Sequence, residues 1–247
     1  MKQIGIVGFG QFGSLAATHL KAHCEVTVHD FSDKRLEAET LGVTWGSLAD
    51  ACACEVVVLA VPAKVMREVL VQMAPLLRKR QVVVDVASVK TYPAQWMREL
   101  LPEHVELVAT HPLFGPQSAK AGLAGLKLVV CPLRGNFHTT LEAFARDTLG
   151  LQVIVTTPEE HDREMAYVQA LTHLIGRSLV NMNIPAEEMQ TQSYRNLLGL
   201  CDLLRHDTWD LFVSLQTMNP FAEEITQRFR QEVNGLMAKV EDEKGAA

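Results

Sequence analysis

The sequence predicts an α/β protein, with a doubly wound parallel sheet in its N-terminal part and a smaller all-helical dimerisation domain behind it. Three observations predict this. Seven short β-branched runs alternate with helical patterns up to about residue 156, a Gly-x-Gly-x-x-Gly turn follows the first run directly, and no further run appears after Thr156-Thr157-Pro158. The 247 residues suffice for two domains, each with its own core.

The runs occupy residues 4–7, 26–28, 56–61, 82–86, 107–109, 128–130 and 153–155. They are almost continuously apolar, as strands buried on both faces are, and the helical segments between several of them suit crossovers. Pro158-Glu159-Glu160 is a helix entry, with proline in the first turn and acids at the positive end of the dipole. The boundary is therefore placed between domains 1–157 and 158–247. The first helix is expected over 158–182, where Met165, Val168, Leu171, Ile175 and Leu179 recur at spacings of three and four. A second helix is expected over 186–205 and a third over 209–237, and the tail 241–247 reads as frayed. About ninety residues of helix make a small core. Apolar residues including Leu197, Leu198, Leu200, Leu203, Leu204, Leu211, Phe212 and Leu215 fall on more than one face, so the helical domain is expected to pair with a second copy as a homodimer.

Composition narrows the function. With 23 basic and 29 acidic side chains the net charge is −6, which argues against a nucleic-acid surface. No apolar run reaches the roughly 18 residues of a membrane span. The chain opens on Lys2-Gln3 and a strand-like run rather than a secretory leader, so a cytoplasmic protein is expected. Its five cysteines, Cys24, Cys52, Cys54, Cys131 and Cys201, read as free thiols. Cys52 and Cys54 have no companion pair at ligand spacing, and no metal is expected.

In Gly8-Phe9-Gly10-Gln11-Phe12-Gly13 the first glycine makes the tight turn, the second lets a pyrophosphate approach the backbone, and the third allows close helix–strand packing. The following helix N-terminus supplies N–H donors. The second strand ends at His29-Asp30, twenty-two positions beyond Gly8, where an acid accepts hydrogen bonds from the adenine ribose. This is a Rossmann-type dinucleotide turn. Asp30 repels a 2′-phosphate and so predicts NAD over NADP, while Lys34 and Arg35 leave NADP open. Val61-Pro62, at the end of the run 56–61, is expected along the nicotinamide side, with a proline that only terminates the strand equally compatible.

Two polar motifs sit at the C-terminal ends of later strands, where open α/β sheets bind ligands: Asp85-Val86-Ala87-Ser88-Val89-Lys90 and Thr110-His111-Pro112-Leu113-Phe114-Gly115-Pro116-Gln117-Ser118. A histidine there can act as general base near neutral pH, and a serine can orient a hydroxyl. Chemistry alone leaves a structural imidazole equally open for His111.

With these motifs the chain resembles the prephenate/arogenate dehydrogenases of tyrosine biosynthesis. The likeness extends through His161-Asp162 and Gln169-Ala170-Leu171-Thr172-His173-Leu174-Ile175-Gly176-Arg177 over nearly the whole length. The resemblance implies oxidative decarboxylation, with hydride passing from ring C4 of a cyclohexadienol to NAD(P)+ and the ring carboxylate leaving as CO2. It implies His111 as the base on the C4 hydroxyl and Ser88 as the group that holds that hydroxyl. The small-molecule substrate is then an anion, and Lys90, Gln169, His173, Arg177 and Arg195 are the candidates to bind it, along with Ser88. Where many members carry a substrate-binding arginine in the second helical segment, this chain has Gly199 or Asp202, so Arg195 or Arg177 must replace it. His161-Asp162 reads as a helix-start or packing feature. Two other readings fit the fold: a β-hydroxyacid or imine-type dehydrogenase, against which the 111–118 motif speaks, and a catalytically silent NAD(H)-binding regulator.

Overall fold

The computed structural model describes residues 3–245. The chain divides into two compact units, the first ending at His161 and the second beginning at Asp162. This division falls four residues beyond the 157/158 boundary read from the sequence, inside the helix that opens at Pro158.

The first unit is built on an eight-stranded sheet in the order β3-β2-β1-β4-β5-β6-β7-β8. Its elements run β1 (Gln3–Val7), α1 (Gln11–Leu20), β2 (Glu25–His29), α2 (Arg35–Leu41), β3 (Thr44–Trp45), α3 (Leu48–Cys52), β4 (Val56–Leu59), α4 (Ala63–Met73), β5 (Val82–Asp85), α5 (Thr91–Leu100), β6 (Glu106–Pro112), β7 (Lys127–Arg134), α6 (Phe137–Ala143) and β8 (Gln152–Val155). Alternation along each strand feeds two dry faces. Val56 and Val58 join Ile4, Ile6, Val82 and Val84 on one side, while Val57 and Leu59 join Val7, Val83 and Leu107 on the other. Helices cover both faces, which is why these strands read as unbroken apolar runs.

All neighbouring pairs are parallel except β6 and β7, so the sheet is mostly parallel, as expected, with one antiparallel return. A parallel return needs a crossover, normally a helix. Residues 113–126 form only turns, so β7 comes back antiparallel. β4 also stops at Leu59 rather than Val61, and Pro62 instead precedes the first turn of α4.

The helix that opens at Pro158 is continuous but uneven: α7 (Pro158–Met165) widens into a π-helical stretch (Ala166–Leu171) and resumes as α8 (Thr172–Asn181). Side chains support that stretch, since Asn219 Nδ2 donates to the Asp162 carbonyl at 2.7 Å and Gln216 Nε2 donates to the Ala170 carbonyl at 2.8 Å. The next helix starts later than expected. α9 (Gln192–Leu204) begins where the Thr191 hydroxyl accepts from the Tyr194 N–H. The expected third helix is two, α10 (Trp209–Thr217) and α11 (Ala222–Gly245), separated at Asn219-Pro220 because proline cannot continue a helix. α11 takes in the tail expected to fray as far as Gly245, and residues 246–247 lie outside the described residues. Among the described residues no helix is long and apolar enough to cross a membrane.

Candidate active site

The glycine turn is tied to its surroundings from both sides. Gly8 has φ +100°, and a Cβ there would strike the Ala60 carbonyl and press on Val61. A Cβ at Gly13 would strike the Gly8 carbonyl, so α1 can approach β1 only through a glycine. At Gly10 the space is open, and no side chain caps the first turn of α1. Its N–H groups remain available to an anion. The Asp30 carboxylate braces the turn: Oδ2 accepts from the Phe9 N–H at 2.7 Å and Oδ1 from the Ser32 N–H at 2.8 Å, leaving lone pairs for hydroxyl donors. Gln11 is exposed, and the Phe12 ring packs 6.3 Å from that of Phe114, joining this helix to the loop after His111. Lys34 pairs with Glu37 at 3.9 Å on its own helix. Gly8 through Gly13, Asp30 and Val61 thus form a cradle that fits a dinucleotide, with Pro62 exposed beside it.

Adjacent strand ends carry the chemical groups. Asp85 closes β5 and is 0% exposed, as is Lys90 five residues on. Lys90 Nζ donates to Asp85 Oδ2 and, at 2.6 Å, to the Thr110 carbonyl; Asp85 Oδ2 also accepts from the Ala87 N–H, and the Thr110 hydroxyl donates to the Asp85 carbonyl. This network stitches the loop bearing Ser88 to the strand bearing His111. It also corrects the expectation that Lys90 binds substrate, because its ammonium is sealed in the core and committed to Asp85 and Thr110.

His111, 3% exposed near the end of β6, lies with Nδ1 2.8 Å from Nε2 of His161, which is 2% exposed. His161 is therefore a partner of the central imidazole rather than a packing residue alone. Burial, then the neighbouring His161 ring and the Lys90 charge, hold His111 well below the usual histidine pKa, so it is neutral at physiological pH.

The remaining candidates stand on the helical unit. Gln169 lies in the π-helical stretch, with its buried Oε1 lacking a hydrogen-bond partner. His173 is buried 3.8 Å from Asp207, and burial lowers its pKa against the pull of that carboxylate. Arg177 donates to the Asp207 carbonyl at 2.8 Å and lies against the Trp209 and Phe212 rings. Asp207 thus gathers His173 and Arg177; the sequence shows it only as a residue before a helix. Arg195 is exposed and held by Gln192 and Gln190, Gly199 is exposed, and Asp202 pairs with Arg205. Among the described residues no three His, Cys, Asp or Glu are grouped to hold a metal ion, and the five cysteines are unbridged.

The family described as prephenate dehydrogenase, nucleotide-binding domain, matches residues 16–153, and a TYRAAT1-like C-terminal domain matches residues 178–246. The chain is 32% identical over 251 aligned residues to arogenate dehydrogenase 1, chloroplastic, of Arabidopsis thaliana, covering 96% of this chain and 39% of that protein. It is 33% identical to the cyclohexadienyl dehydrogenase of Zymomonas mobilis, covering 73% of this chain and 67% of that protein. Among solved structures, prephenate dehydrogenase from A. aeolicus, in complex with hydroxyphenyl propionate and NAD+, shares the fold with a TM-score of 0.79 at 19% identity, covering 98% of this chain and 92% of that one.

Proposed function

We propose, because this chain belongs to the prephenate dehydrogenase family, that it oxidatively decarboxylates prephenate, arogenate or both, using NAD+ in preference to NADP+. The observation that carries the reading is His111, an uncharged, buried imidazole at a strand end of a dinucleotide-binding sheet, beside the loop that bears Ser88. His111 Nε2 takes the proton of the substrate's C4 hydroxyl, and the Ser88 hydroxyl holds the same oxygen in line. Removing that proton raises the tendency of C4 to give up its hydride. A bound nicotinamide dinucleotide supplies the hydride acceptor. The ring carboxylate leaves as CO2, and the electrons of the broken C–C bond complete the aromatic ring. Gly8, Phe9, Gly10, Gln11, Phe12, Gly13, Asp30, Val61 and Pro62 hold the dinucleotide. Gln169, His173 and Arg177, with Arg195 second to them, recognise the anionic substrate.

A steady-state assay with prephenate and arogenate, each with NAD+ and NADP+, tests this. Turnover of at least one pair is expected; dinucleotide binding without turnover of any pair is the result a silent regulator would give. In the same assay Asp30→Ser is expected to lower kcat/KM for NAD+ and raise the NADP+ share, because the ribose acceptor and the repulsion of a 2′-phosphate go together. An unchanged ratio would remove Asp30 from the ribose.

The proposal extends to a cytoplasmic homodimer. Of the residues expected on an open face, Leu204 and Leu215 are buried, while Leu197 and Leu203 are exposed. A further uncovered apolar row follows α11 through Val233, Leu236, Met237 and Val240, at 40–61% exposure. Its spacing of three and four suits a helix packed against a second copy. Light scattering is expected to give twice the 27.4 kDa chain mass, and Leu236→Glu with Val240→Glu to give the single mass. A monomeric parent would defeat this.

A further inference from the structure

Both rings of the His111–His161 pair are buried, they meet at 68° with centroids 5.0 Å apart, and their facing nitrogens are 2.8 Å apart. Two neutral imidazoles at that distance need one donor and one acceptor, which leaves two arrangements. If His161 Nε2 carries the hydrogen, His111 Nδ1 accepts it and His111 Nε2 is itself protonated and useless as a base. If His111 Nδ1 carries it, His161 accepts and His111 Nε2 has a free lone pair. The partner's tautomer therefore decides what the central imidazole can do.

We propose that His161 is a positioning residue: it accepts the Nδ1 hydrogen of His111 and holds that ring in the tautomer whose Nε2 can take a proton. The catalytic meaning of that tautomer rests on the dehydrogenase reading, while the hydrogen bond does not.

Both rings come from rigid backbone, as such a function requires. His111 lies in the β6–β7 ladder opposite Val129. His161 closes the first turn of α7, its N–H donating to the Thr157 carbonyl at 3.0 Å. That turn is capped in both directions, with the Glu160 N–H on the Thr157 hydroxyl at 3.2 Å and the Thr157 N–H on the Glu160 carboxylate at 3.3 Å. The Lys90 ammonium, held on the carbonyl of Thr110, acts on the same imidazole. Its charge and the burial disfavour a protonated His111, so the hydrogen bond selects between the two neutral tautomers of that ring.

The test is nitrogen-15 NMR of the full chain labelled at histidine, with the His111 signals identified by their loss in His111→Asn. Near neutral pH the parent is expected to carry hydrogen on Nδ1 of His111 and none on Nε2. In His161→Leu the hydrogen is expected to move to Nε2, and kcat to fall about 100-fold with dinucleotide KM unchanged. In His161→Gln, whose carboxamide oxygen can accept in place of Nε2, the parent tautomer and most of the rate are expected to return. Hydrogen on Nε2 in the parent overturns the inference even if a variant fails to fold. So does a His161→Leu protein that keeps the parent tautomer, or Leu and Gln variants that lose rate equally. The expected tautomers in a parent with no turnover on either cyclohexadienol would uphold the hydrogen bond and sink the dehydrogenase reading.

Discussion

His111→Asn is expected to lower turnover by about 10²–10⁴-fold, the usual cost of losing a positioned general base. Dinucleotide affinity should be unchanged, because the cofactor is held mainly by the glycine turn and by Asp30, which braces it. Asparagine can still offer an amide hydrogen toward His161, so the fold is expected to survive. Near-parent turnover would remove His111 from the chemistry. The same imidazole is expected to set the acid side of the pH profile. Its folded pKa lies below the ordinary 6.5, so the base stays neutral as pH falls through 6.5 and activity is lost only at lower pH. Stability falls in the same direction but from a higher pH: the unfolded chain takes up a proton near 6.5 and the folded chain does not, so this site costs stability as pH drops below that value. An acid limb above 6.5 would contradict the environment described for His111.

Lys90→Met is expected to cost about 3–5 kcal/mol of stability, because it leaves the Asp85 carboxylate in the core without its counter-charge. The Thr110 carbonyl loses a donor in the same step. Burial raises the Asp85 pKa by more than Lys90 lowers it, so the ion pair is no great gain over an apolar one. The double variant Asp85→Asn, Lys90→Met should therefore recover much of the loss in denaturant melts, while turnover falls because the Ser88 loop is less firmly tied to His111. A single Lys90→Met variant as stable as the parent would show that the ammonium is not the partner Asp85 needs.

Much of the sheet unit was legible because its signals are local. Unbroken runs such as 56–59 and 82–85 announce strands buried on both sides, and the glycine turn with Asp30 announces its own geometry. β3 was invisible because two residues, Thr44–Trp45, carry no period. The reversal at β7 is set by the missing crossover helix in 113–126, a feature a strand pattern does not record. His161 illustrates the harder case: fifty residues separate it from His111, and nothing in a helix-start dipeptide says which ring it will meet. Lys90 failed as a substrate ligand for a related reason. Its spacing from Asp85 shows proximity, whereas burial decides that the pair serves the fold.

One site is expected to couple oxidation at C4 to loss of the ring carboxylate. The coupling is tested most directly by measuring CO2 release and dinucleotide reduction together, with prephenate and with arogenate, in the parent and in His111→Asn. The parent is predicted to release CO2 and reduce dinucleotide in equal amounts on at least one substrate, and the variant to lose both together. Dinucleotide reduced without CO2, or no reduction with either substrate, would contradict it.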